Sequence, residues 1–250
     1  MVPGTLSPNP LNLIIGFSQL LSHETFGPLG SKNNREYVEF INKSGTHLLE
    51  LITDILDLSK VETSKITLHV DTVDINSTIA DCLPMVEQNI ATKNLSVSLN
   101  VENGLELFTA DSVRVKQIFL NLLTNAVKFT PENGSIDISA GGDEETFTLS
   151  VADTGIGIEP ESLSRVMKPF EQVDDIMTRH HDGSGLGLAL VNLLTGLHGG
   201  SVSIDSALGE GTTVSLYFPR RGIDVDAESH PINGSGGIPI IHSWITKRPA

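Results

Sequence analysis

The chain has almost no cysteine. Cys82 is the single one in 250 residues, so neither an internal disulfide nor a cysteine-based zinc site is available. Aromatics make up only 5%, with one Trp, which argues against a stacking platform for single-stranded nucleic acid. Cations are short as well: 16 Lys and Arg against 31 Asp and Glu leave a formal charge of -15. The molecule as a whole therefore repels a phosphate backbone, and no nucleic-acid partner is expected. Any phosphate it binds must be met locally, by a metal or a few cations. No segment approaches the roughly 18 apolar residues of a membrane span, and the start lacks a basic-plus-apolar signal peptide. A reducing, cytoplasmic setting is expected, with room for the chain to be the cytoplasmic piece of something longer.

What is present is 39% hydrophobic, enough for a core in one large domain or two small ones. Residues 1–9 are Pro-rich and polar and read as a tail. Pro10 suits a first helical turn. Leu11, Ile14, Ile15, Phe17, Leu20 and Leu21 then recur at helical spacing to about His23. FGPLG at 26–30 is a turn, and capping side chains follow at 31–34. A second helix is expected over about 35–60, with Tyr37, Ile41, Leu48, Ile52 and Ile55 on one seam and Leu49, Leu56 and Leu58 widening it. A lone hairpin, assigned to 10–66, does not bury so broad an apolar surface. Pairing with a second copy into a four-helix bundle would cover it; packing on the downstream domain is the alternative.

Helical patterning stops over 61–70, and elements of mixed type follow. Strands are expected at 70–75, 95–101 and 107–110, with a helix at 76–93 capped by Asn76 or Ser77. A hairpin of 135–140 and 146–152, a helix over 185–197 and a closing hairpin of 201–206 and 212–219 complete the pattern. The expected fold class is α+β: a helical hairpin, then a two-layer α/β sandwich over 70–220. Residues 221–250, rich in Gly, Pro, Ser and Asp around an apolar island at 238–245 that holds Trp244, are expected to be a disordered tail.

The stretch DSVRVKQIFLNLLTNAVKFTP, residues 111–131, reads as a helix. Arg114, Gln117, Asn121, Asn125 and Lys128 share one narrow stripe, and Val115, Ile118, Phe119, Leu122, Leu123, Ala126 and Phe129 cover the opposite side. The stripe carries amides and cations but no carboxylate, whereas a solvated face usually mixes both signs. Amide oxygens ligate hard cations such as magnesium, and Lys and Arg neutralise phosphate. Taken by itself, the stripe is better read as an ordinary wet face; its company changes that.

DTGIGI at 153–158 follows a strand. A carboxylate there can accept from an exocyclic amine while a flat ring lies against bare glycine backbone. GSGLGL at 183–188 runs into a helix, where backbone N–H groups can approach phosphate. No strand precedes Gly183, so a Rossmann reading fails. Between them lie KPFEQ at 168–172 and a polar stretch, 173–182, suited to a mobile lid.

In order, DxxRxxQxxxNLxxNAxKFTP, DTGIGI, PFEQ, GSGLGLAL and GEGTT resemble the ATP-binding domain of sensor histidine kinases, of the GHKL (Bergerat) type. Upstream, PLNLIIGFSQLL and SGTHLLELITDILDLSKVE resemble the family's dimerisation and phosphotransfer hairpin, so the resemblance covers about residues 10–220. It implies ATP and Mg2+ as cofactors. Asn121 would ligate the metal, and Asn125 and Lys128 would meet the phosphates or metal-bound water, Asn121 and Lys128 as catalytic residues. Asp153 would accept the adenine amine, with Gly155 and Gly157 giving the ring room and Thr212 or Thr213 bonding nearby. Phe170 would anchor the lid, while Gly183, Gly185, Leu186 and Gly187 would wrap the phosphates. Arg179 or His180 could swing toward them, though a solvated lid explains both equally well. The implied partners are a second hairpin, in a homodimer or heterodimer, and the receiver domain of a response regulator.

One departure stands against these matches. The family's phosphoacceptor His, with an acid directly after it, falls five residues before the Pro of the Pro-Leu-Asn run; here those positions are Thr5 and Leu6. Asn9 sits where the family's phosphatase motif carries Thr or Asn, without that motif's acid. His23 and His47 are better read as solvated or packed histidines, and Thr5 has no neighbouring base. Either the sequence begins past the true acceptor, or the chain is a degenerate kinase. Three readings result: a histidine kinase core, able to act in trans on an intact partner; a pseudokinase that binds ATP and a response regulator; and a gyrase-, Hsp90- or MutL-like ATPase, against which the hairpin and the PFEQ box argue.

Overall fold

The computed structural model describes residues 10–25, 27–62, 67–169, 171 and 185–221. The expected N-terminal tail, the lid at 173–182 and the C-terminal tail from 222 lie outside the described residues.

Helices α1 (Pro10–Ser22) and α2 (Lys32–Glu62) form the hairpin. Ser31 Oγ accepts from the Asn34 N–H at 3.2 Å, which starts α2 at Lys32, ahead of the expected 35. Leu11 and Val38 are buried between the helices, Asn42 Nδ2 donates to Ser18 Oγ at 3.1 Å, and Arg35 pairs with Glu24 at 2.6 Å. A Cβ at Gly45 would stand 3.0 Å from Ile15, so the lack of a side chain there lets the helices approach. The outward seam is uncovered: Ile41, Leu48, Ile52, Ile55 and Leu56 are all exposed, and so are Phe17 and Phe40. Within one chain, packing on the downstream domain does not bury it.

The α/β unit runs β1 (Val70–Asp74), α3 (Ile75–Thr92), β2 (Ser96–Val101), β3 (Leu107–Asp111), α4 (Ser112–Phe129), β4 (Ser135–Gly142), β5 (Thr146–Asp153), α5 (Gly187–Leu197), β6 (Ser201–Ala207) and β7 (Gly211–Pro219). Five strands form one sheet in the order β2-β4-β5-β7-β6, with β2 parallel to β4 and the other pairs antiparallel; β1 and β3 make a separate two-stranded ribbon. Period-2 burial along β5 turns Phe147, Leu149 and Val151 to the core, where they meet the apolar sides of the helices. Phe108 stacks on Phe147 at 4.0 Å and tilts toward Phe218 at 5.4 Å, so the scarce aromatics tie the ribbon to the sheet.

Caps set the helix limits. The cap of α3 is Asp74, not Asn76 or Ser77: its carboxylate accepts from the Asn76 N–H at 2.9 Å, and an N-cap acceptor must stand ahead of the first helical residue. In the same way Asp111 caps α4 by accepting from Val113 and Arg114 N–H groups at 3.0 and 3.1 Å. At the other end of α4, Lys93 Nζ donates to the carbonyls of Val127, Lys128 and Thr130 at 2.8, 2.8 and 2.9 Å. The apolar side of α4 is buried as its pattern predicts, with Val127 added; Phe129 is only half-buried.

Candidate active site

Helix α4 carries the polar stripe. Arg114, Gln117, Asn121, Asn125 and Lys128 are all half-buried, where a free helix face would be exposed. Arg114 donates to Gln117 Oε1 at 2.8 Å, and the Lys128 ammonium lies 4.8 Å from the Phe129 ring centre.

At the C-terminal end of α4, the Phe129 carbonyl accepts from the Ile156 N–H at 3.3 Å. This joins the helix to the turn after β5, which begins at Asp153. Asp153 is paired in register with Thr212 on β7, and its Oδ1 accepts from the Gly155 N–H at 2.8 Å. Burial pushes its carboxyl above the usual range, outweighing the main-chain N–H groups of Gly155 and Thr212 that pull it down. Both glycines of this turn are required. A Cβ on Gly155 would lie 2.5 Å from Asp153 Oδ1 and 2.7 Å from the Phe129 carbonyl oxygen. Gly157 has φ +70°, and a Cβ there would meet the Ala207 oxygen at 1.9 Å. Ser206 props the turn from behind: its hydroxyl accepts from the Ile158 N–H at 2.9 Å and lies 2.8 Å from both the Gly211 oxygen and Thr212 Oγ1. Thr213 is on the next register position of β7, opposite Ala152.

Midway along α4 the second glycine segment arrives. Helix α5 starts at Gly187 with Leu186, fully buried, at the N-cap and no side-chain cap; Gly185 precedes it at φ +67°. The atoms nearest to a Cβ built on Gly187 are Asn125 Nδ2 at 3.6 Å and Asn121 Oδ1 at 3.7 Å. The N-terminus of α5, where N–H groups and the helix dipole favour anions, thus faces the two amides of α4. Eight residues separate Asn121 from Phe129, about 12 Å along the helix axis. One element therefore carries an acid-and-glycine turn at one end and an amide-and-helix-terminus gap farther along, a spacing suited to an extended nucleoside triphosphate. Phe170, Gly183, Arg179 and His180 lie outside the described residues.

Magnesium fits this donor set. Among the described residues no group of three His, Cys, Asp or Glu could cage a metal, and Asn121 offers one hard amide oxygen at the gap. Magnesium is commonly held this way, by few protein ligands with phosphates and waters supplying the rest.

Residues 110–222 match the histidine kinase-, DNA gyrase B- and HSP90-like ATPase family, and residues 9–64 match the His Kinase A (phospho-acceptor) domain. The chain is 42% identical over 219 residues to the non-motile and phage-resistance protein of Caulobacter vibrioides, covering 86% of this chain and 26% of that protein. To the histidine protein kinase DivJ of the same organism it is 41% identical over 210 residues, covering 84% of this chain and 35% of that one. Full-length ShkA, crystallised with AMPPNP, matches with a TM-score of 0.70 at 31% identity, over 86% of this chain and 44% of that chain. The chain belongs to the sensor histidine kinase family.

The phospho-acceptor match begins at residue 9, beyond Thr5, and the match to the hairpin argues against the gyrase-, Hsp90- or MutL-like reading. The chain spans about a quarter to a third of the length of these curated relatives. No described helix is long and apolar enough to cross a membrane. Two supporting residues escape sequence reasoning. Ser206 reaches the site through the pairing of β6 with β7. His198, at the C-cap of α5, accepts the Asp111 N–H on Nε2 at 3.0 Å and so links α5 to the start of α4. Each depends on a partner distant in sequence that no local pattern reveals.

Proposed function

We propose that this chain binds Mg-ATP along α4 and passes the γ-phosphoryl group to a histidine of a hairpin, from which a response regulator receives it. The observation that carries the reading is the placement of both glycine segments on one helix: Gly155 against Phe129, and Gly187 against Asn121 and Asn125. Asp153 accepts the adenine amine, and its half-buried, glycine-lined setting suits a flat base. Asn121 ligates magnesium, Asn125 and Lys128 hold the phosphates, and the first N–H groups of α5 face them. Gly183, Gly185, Leu186 and Gly187 wrap the phosphate chain, Thr212 supports the base end, and Phe170 anchors a lid. Bound magnesium supplies charge neutralisation on the phosphates. The protein's own work is positioning and electrostatics: an imidazole nitrogen bonds to the γ-phosphorus, the bond to the β–γ bridging oxygen breaks, and ADP leaves. Residues 10–66 form the dimerising hairpin and 70–220 the catalytic domain, and the exposed seam of α1 and α2 supports pairing with a second hairpin.

A second reading rests on Thr5 and Leu6, which stand where the family has its acceptor His and acid. In it the chain phosphorylates an intact partner in trans, or binds ATP and regulates by conformation without transfer. Incubation with labelled ATP separates the cases. Acid-labile, base-stable label on the chain supports self-phosphorylation. Label found on an added intact hairpin and not on the chain supports transfer in trans. Binding without any transfer supports the pseudokinase, and no nucleotide binding at all overturns the site.

A further inference from the structure

Lys93 lies outside every motif above. It follows the last residue of α3, yet its ammonium acts on another helix, donating to the carbonyls of Val127, Lys128 and Thr130. An ammonium has three donors, and these three carbonyls use them all. The last carbonyls of a helix lack intrahelical partners and carry partial negative charge, so a cation there is favourable. The backbone around Lys93 is anchored to the same turn: its carbonyl accepts from the Asn133 N–H at 2.9 Å, and the Ser96 N–H donates to the Gly134 oxygen at 3.0 Å. Burial lowers the ammonium's pKa and Glu132 raises it, as expected for a cation drawn partly out of water.

The carbonyl that Lys93 passes over is that of Phe129, which accepts from the Ile156 N–H and against which Gly155 packs. Its neighbours on both sides are held by Lys93, so its direction is fixed. Thr154, whose N–H donates to the Ser135 oxygen at 3.0 Å, rests on the strand that leaves this turn. The Asp153–Gly157 segment is thus seated on backbone that one distant ammonium organises.

We propose that Lys93 is a positioning residue for base recognition: by tying the carbonyls of residues 127, 128 and 130 it sets the Phe129 carbonyl, the turn after Asp153, and so the site's preference for adenine over other purines. This rests on the reading of Asp153 as the adenine acceptor, and the test keeps the two apart. ATP and GTP are titrated, with Mg2+, into the whole chain and into Lys93→Met, with thermal unfolding alongside. Lys93→Met weakens ATP about tenfold, about the worth of one ordinary hydrogen bond misplaced at the base, and GTP far less. The Ile156 amide also exchanges with solvent about tenfold faster. A structural cap that merely lowers the folded fraction would weaken both nucleotides by one factor, and that result overturns the proposal. Should Lys93→Met fail to fold, Lys93→Arg keeps the charge but not the three-carbonyl geometry, and the ATP:GTP ratio still falls, by about threefold. A wild-type preference for ATP that survives both substitutions overturns the role of Lys93 only. A wild-type chain without that preference overturns the Asp153 assignment and this proposal with it.

Discussion

In the α/β unit Phe119, Phe147, Phe218, Ile118 and Leu194 are fully buried, whereas Phe17, Tyr37 and Phe40 of the hairpin are each more than 60% exposed. Both regions are built from amphipathic elements, but only the first closes over its own apolar surface. The hairpin leaves its seam open, and helices so arranged gain stability from a partner surface and therefore depend on protomer concentration. On the function proposed above, the difference assigns tasks: the self-contained unit would position the nucleotide, and the unit completed by association would present the phosphotransfer surface.

The sharpest way to break this comparison is in the closed core. Phe147→Ala removes a ring stacked on Phe108 and should cost about 3–5 kcal/mol, read by denaturant unfolding at several protein concentrations. The loss should be independent of concentration; a midpoint that shifts with dilution would mean that the α/β unit is not self-contained.

If Asp153 is the proposed acceptor of the adenine amine, Asp153→Asn should weaken ATP roughly 100-fold, about 2–3 kcal/mol, by removing that charged acceptor. Its effect on stability runs the other way. Because the folded pKa of Asp153 is raised, the group's contribution is favourable below its ordinary value of 3.8 and is lost as pH rises through the folded pKa. At neutral pH the half-buried charge is a cost, and a neutral amide relieves it. Calorimetric titration and thermal melts at pH 7 should therefore move in opposite directions; a lower melting temperature would refute the burial argument.

Smaller again is the hairpin change. Ile52→Ala trims one seam residue and should weaken self-association about tenfold, roughly 1–2 kcal/mol, in sedimentation equilibrium. The unfolding midpoint of the α/β unit should stay fixed. An unchanged dimer constant would place the interface elsewhere.

Local chemistry made much of the candidate site legible. Helical pitch alone groups Asn121, Asn125 and Lys128, and glycine spacing marks Gly155, Gly157 and Gly187 before any contact is known. What stayed hidden is set by pairing across the chain. The register of β5 with β7, which puts Thr212 beside Asp153, is reachable only through the family resemblance, and β2 runs parallel to β4, an arrangement that hairpin patterns do not announce. The cap of α3 shows the same limit on a small scale: three polar residues compete near its start, and backbone geometry selects Asp74. Lys93 carries no local signal in the sequence because its partners lie 34 to 37 residues away.

The joint between α4 and α5 provides the mildest test. His198 Nε2 accepts from the Asp111 N–H, and Nδ1 lies 2.7 Å from the Leu194 oxygen. Only the neutral ring with its proton on Nδ1 satisfies both. Burial lowers the ring's pKa and Arg114 adds to that, while the Leu194 carbonyl and Asp111 push it up without prevailing. The folded state therefore resists a proton that the unfolded chain accepts near pH 6.5. This contribution is intact above that value and is lost as pH falls below it, with a slope of at most about 1.4 kcal/mol per pH unit. Asp111 does not blur the window. Burial raises its carboxyl, but the N–H groups of His69, Arg114 and Val113 hold it below the ordinary 3.8, so its own contribution is lost only in stronger acid. In melts between pH 7.5 and 5 the wild-type α/β unit should lose stability and His198→Asn should give a flatter curve. Equal slopes in the two proteins would mean that this histidine is not what ties α5 to α4, since the joint requires an imidazole that stays neutral.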